Sequence, residues 1–170
     1  KTFFQHLPEF HLMRALCLTL LLLSGLSMNA AFAETVGCPD LAQAVQVGAC
    51  PSEEDLRYTY TGYCSDNARM YDMKDDVCAT FENYRKLKNV VLWESGDGAF
   101  SGYLSCDLPA AKVKAAPVVA LAVARRGNMT RVVCTYGDGV MLSHRTKLSC
   151  RAEGDGSCPG NPAGCRASCQ

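Results

Sequence analysis

The chain reads as an α+β domain: N-terminal helices packed on an antiparallel sheet of about five strands, disulfide-rich, with an irregular Cys-rich C-terminal tail. Three observations predict this class. Helix caps and helical spacing gather in the first half, and valine-rich runs broken by glycine turns fill the second. Of 11 cysteines, Cys17 sits in a leucine-rich N-terminal segment. The other ten, Cys38, Cys50, Cys64, Cys78, Cys106, Cys134, Cys150, Cys158, Cys165 and Cys169, lie beyond it. An even set of thiols past an export signal reads as a disulfide framework, although its connectivity is not deducible from spacing.

Residues 1–12 read as an upstream extension outside the fold. Met13-Arg14, the apolar run around Leu20–Leu23 and the small residues of Ala31-Phe32-Ala33 make residues 13–33 a cleavable signal peptide of bacterial type. Ser24, Gly25 and Ser27 break that run, which makes it too short for a membrane span, so no transmembrane helix is expected after processing. Residues 34–150 are then the α+β domain and 151–170 the tail.

Within the domain, Leu41–Val47 is Ala-rich and suggests a short helical turn. Ser52 followed by Glu53, Glu54 and Asp55 is a capped helix start with acids at the positive end of the dipole. Tyr58-Thr59-Tyr60-Thr61 is strand-like in composition, which places the helix from about Cys64 to Met73. Asp75-Asp76 would cap a second helix to Lys88 with Val77, Phe81, Tyr84 and Leu87 on its apolar face.

From Asn89 strands follow. Val90–Glu94 and Ala99–Cys106 flank Gly96-Asp97-Gly98, a hairpin signal. Val118–Arg126, Met129–Tyr136 and Val140–Leu148, joined by Gly127-Asn128 and Gly137-Asp138-Gly139, form a three-strand meander. The two Gly-Asp-Gly segments lack the run of acids a calcium loop needs and read as turns. Cys106 and Cys134 should bond outside their own hairpins. Past Cys150 the apolar pattern stops, so the tail should depend on crosslinks.

Charge and motifs exclude several functions. The chain is neutral overall, and once Lys1, Glu9 and Arg14 are set aside the remainder has one more acid than base. A phosphate-neutralising nucleic-acid binder would show a basic surplus. No Cys-x-x-Cys pair is present, which disfavours redox catalysis, and the cysteines are too widely spaced for a zinc site. No metal or cofactor is expected. A serine hydrolase would show Gly-x-Ser-x-Gly, and none occurs.

His144 is the one histidine beyond the signal. With Glu94 as base and Arg126 as phosphate-binding guanidinium, it could support ribonuclease-like acid–base chemistry in a small secreted hydrolase. Tyr58, Tyr60, Tyr63, Tyr71, Trp93 and Tyr103 are the amphipathic side chains that enrich interfaces. Size, export, crosslinking and missing catalytic motifs favour a periplasmic or secreted protein with a protein partner, such as an inhibitor or immunity-like protein of the bacterial envelope. A structural envelope protein is the third expectation.

Overall fold

The computed structural model describes residues 33–72, 76–158 and 160–170. The upstream extension and all of the expected signal segment except Ala33 lie outside the described residues. Ala33–Gln170 forms one compact unit.

The elements run β1 (Glu34–Gly37), β2 (Val45–Val47), α1 (Glu53–Cys64), α2 (Phe81–Lys88), β3 (Val90–Glu94), β4 (Ser101–Ser105), α3 (Ala110–Ala115), β5 (Val118–Arg126), β6 (Met129–Tyr136), β7 (Met141–Thr146), β8 (Cys150–Ala152) and β9 (Arg166–Cys169). They build an antiparallel six-stranded sheet of order β2-β3-β4-β7-β6-β5 and a three-stranded sheet of order β1-β9-β8. The mixed α+β class is as the sequence indicates, whereas a single sheet of about five strands is corrected to two sheets.

The meander forms where its turns place it. Gly127 supplies a positive φ of 60° between β5 and β6, and Asp138 takes 57° between β6 and β7, a conformation that short polar side chains tolerate. Burial then alternates along β6: Thr130, Val132, Cys134 and Tyr136 are buried and Met129 and Arg131 exposed. The inner face of the sheet carries Val91, Trp93, Leu104, Val132 and Leu142 into the main core.

What covers this inner face differs from expectation. The layer comprises β1, the 3-10 turn Leu41–Gln43, α3 and the C-terminal segment, with Val36, Leu41, Val113, Cys165 and Ala167 all in the main core. The tail is therefore not irregular. Its β9 pairs with β1 on one side and β8 on the other, so main-chain hydrogen bonds and two disulfides order a stretch with few apolar side chains.

Helices α1 and α2 instead pack on each other as a small arm with its own cluster, Leu56, Cys64 and Tyr84, joined by Tyr60, Tyr63 and Phe81. Helix α1 begins at the predicted cap: Ser52 Oγ accepts from the Asp55 amide at 3.0 Å, and Asp55 accepts back from the Ser52 amide. It runs straight through the strand-like tyrosine–threonine stretch and stops at Cys64, where the sequence suggested a beginning. The Thr59 and Thr61 hydroxyls bond back to the carbonyls of Asp55 and Arg57, and Tyr60 packs on Tyr84, so tertiary packing overrides β propensity. Beyond it a π turn spans Ala68–Asp72, and Met73, the expected helix end, lies outside the described residues. Thr80, not Asp75-Asp76, caps α2, and Leu87 is turned out with 48% exposure.

Five disulfides join Cys38 to Cys134, Cys50 to Cys106, Cys64 to Cys78, Cys150 to Cys169 and Cys158 to Cys165. Cys106 and Cys134 bond outside their hairpins, as expected. Cys50–Cys106 closes the base of the helical arm, which Arg85 also ties down through a two-pronged contact with Asp107 at 2.9 and 3.0 Å. No helix among the described residues is long and apolar enough to cross a membrane.

Candidate functional site

Pleating assigns each strand residue of the six-stranded sheet to one of two faces, and cross-strand partners share a face. Val45, Glu94, Ser101 and Ser143 are successive partners across β2, β3, β4 and β7, and Ser143 is partnered by Val133 of β6. These residues lie on the outer face. His144, partnered by the fully buried Val132, lies on the inner one.

The structure thus separates the acid–base candidates. Glu94 and His144 project from opposite faces, so the sheet itself stands between carboxylate and imidazole. Arg126 shares the outer face with Glu94 but sits at the far end of β5, partnered by Met129. His144 does something else: its Nδ1 donates to the Ala99 carbonyl at 2.9 Å, and its ring lies 5.5 Å from that of Phe100. The imidazole clasps the tip of the β3–β4 hairpin to β7. Among the described residues no group of His, Cys, Asp and Glu is arranged to hold a metal ion.

The hairpin tip is itself braced. The buried Ser95 hydroxyl accepts from the Phe100 amide at 2.9 Å and donates to the Asp97 carboxylate. Asp97 also accepts from the Ala99 amide at 3.0 Å. The Ser95 hydroxyl first, then the Ala99 amide, then its own backbone amide and last the nearby His144 hold the Asp97 carboxyl below its ordinary pKa.

The outer face is open and substantially apolar. Tyr103 is 71% exposed, Met141 52% and Val45 49%, and half-buried Leu92 and Val133 lie among them. A buried apolar layer covers the other face, so this sheet presents hydrophobic side chains on both sides. A cleft of about 480 Å³ opens on the outer face, lined by Leu92, Ala99, Ser101, Gly102, Tyr103, Arg131, Ser143 and Arg145. At its floor β4 and β7 are in register at Ser101 and Ser143.

Arg131 and Arg145 are direct cross-strand partners on this face. Sequence reasoning missed the pair, although the signal was there. Folding the meander about Asp138 brings positions equally far from the turn together, and these two are seven residues to either side. The aromatic candidates divide. Tyr60 and Tyr63 pack in the arm, Trp93 is core, Tyr103 lies at the cleft, and Tyr58 and Tyr71 are solvent-facing on the arm.

Comparison of the chain with protein-family models, with curated proteins and with solved structures finds no match.

Proposed function

We propose that the chain is an exported, disulfide-stapled partner-binding protein of the periplasm or cell exterior that docks its partner on the outer face of the six-stranded sheet. Its sharpest form is an inhibitor or immunity-like protein of the bacterial envelope. The supporting observation is the open face itself: Tyr103, Met141 and Val45 stand exposed beside an arginine-lined cleft, on a sheet whose other side is fully packed. Such a surface suits a rigid binder, because a crosslinked frame has little ordering entropy left to lose on association.

Site-specific photo-crosslinking tests the reading. A photoreactive residue at Met141 or Tyr103 should trap one saturable protein partner in the native envelope. The same residue at Lys112, on α3, should trap none. Equal labelling at all three positions, or labelling that does not saturate, would overturn the assignment of this face.

A further inference from the structure

Resting on that docking reading, we infer that Arg131 and Arg145 form a carboxylate-binding subsite that receives acidic side chains from an extended segment of the protein partner. The two residues are directly opposite on β6 and β7, with Cβ atoms about 5 Å apart by the geometry of antiparallel pairs. Like charges so placed repel, and folding alone gives no reason to hold them together. Elsewhere Arg57 pairs with Glu53, Arg85 with Asp107, and Arg125 hydrogen-bonds Gly127 and Ser149. Arg151 and Arg166 on the smaller sheet have no side-chain partner among the described residues but face Ser168 and Gly37 rather than a second arginine. Arg131 and Arg145 have no ion-pair or hydrogen-bond partner among the described residues, and Arg126, on the same face, has none either.

The surroundings specify the ligand further. The two arginines form a wall shared by two hollows. One is the cleft with the buried Ser143 and with Leu92 and Tyr103, and the other, about 510 Å³, is bordered by Ala124, Arg126 and Met129. Each hollow offers guanidinium beside apolar side chains, which suits an anion carried on a partly apolar chain. An extended peptide alternating acidic and apolar residues meets that requirement, since successive side chains point to opposite sides. Guanidinium forks match carboxylates geometrically and keep their charge at any physiological pH. Nucleic acid is a poorer fit: a polyphosphate needs many contacts, and the chain as a whole has no basic surplus.

The test uses the oxidised protein and a short fluorescent peptide of alternating glutamate and valine, read by anisotropy. The expected result is saturable binding that weakens with salt and falls at least ten-fold in the Arg131→Gln/Arg145→Gln double variant. The glutamine–valine peptide should bind at least ten-fold more weakly, and Lys112→Gln/Lys114→Gln should bind like the parent. Because like charges placed directly opposite destabilise a strand pair, the double arginine variant should melt at or above the parent temperature. A lower melting temperature would assign the pair a structural role and overturn the subsite. So would equal binding of the neutral peptide, undiminished binding by the double variant, or stronger binding to phosphatidylglycerol vesicles or oligothymidine than to the acidic peptide. Crosslinking at Met141 that persists in the double arginine variant would overturn the subsite and leave the docking face standing. Its absence from the parent protein would remove both.

Discussion

His144 Nδ1 donates to the carbonyl of Ala99, 45 residues away in sequence, at 2.9 Å. The bond ties β7 to the tip of the β3–β4 hairpin, and its carbonyl acceptor requires the proton on Nδ1. His144→Ala should therefore act on stability. Losing one hydrogen bond and the contact with the Phe100 ring costs about 1–2 kcal/mol. Denaturant unfolding should show that loss, with amide exchange accelerating first at the hairpin tip. An unchanged unfolding midpoint would refute the clasp.

Gly102 makes the neighbouring contact. A Cβ at this position would lie 2.2 Å from the Met141 carbonyl oxygen, which is backbone and cannot swing aside. Gly102→Ala must therefore push β4 from β7 at the one place where they are in register, Ser101 and Ser143. The expected cost is about 3 kcal/mol or more, at the upper end for overpacking in a close-packed interior. Since the same displacement reshapes the cleft, crosslinking at Tyr103 should fall in parallel with stability.

Much of this fold is legible in the sequence, for reasons that particular residues explain. Gly127-Asn128 and Gly137-Asp138-Gly139 demand turns, and valine alternation then leaves the meander one consistent register. Ser52 and Asp55 are a local capping signal and are realised as such. Signals that depend on distant partners are less readable. Tyr58–Thr61 looks like a strand until Tyr84 and Phe81 arrive to bury the helix face. The tail looks unfoldable until β1 and β8 pair with β9, Cys150 anchors Cys169 and the Cys158–Cys165 bond closes it on itself. At the site, residue types such as His144 and Glu94 draw attention locally, but which face each occupies depends on register. Arg131 and Arg145 are unremarkable until the turn at Asp138 sets them opposite each other.

The disulfides should differ in their weight and reach. Cys38–Cys134 spans 96 residues and joins the segment after β1 to the buried centre of β6, whereas Cys64–Cys78 spans 14 within the arm. On the chain-entropy account, removing the first costs about 4–5 kcal/mol and the second about 3 kcal/mol. Cys38→Ala/Cys134→Ala should thus lower the global unfolding midpoint more. Cys64→Ala/Cys78→Ala should chiefly raise amide exchange in α1 and α2, leaving the sheet protected. Hydrogen exchange resolved by residue would separate the two, and equal loosening of the sheet by both variants would contradict the arm's independence.

Asp97 should make stability fall in acid. Its carboxylate accepts from the Ser95 hydroxyl and the Ala99 amide, so the folded pKa lies below the ordinary 3.8. The unfolded chain then binds this proton more readily than the folded one, and lowering the pH favours unfolding. The contribution is fully present above 3.8 and is lost as the pH falls through the lower folded value. Asp97→Asn removes the charge while keeping an acceptor for the Ala99 amide. The parent's advantage over this variant should therefore be constant from neutral pH down to the ordinary carboxylate range and shrink below it. Denaturant midpoints measured across that range would check the sign, and an advantage that grew on acidification would show that Asp97 is not held in its charged form by the hairpin tip.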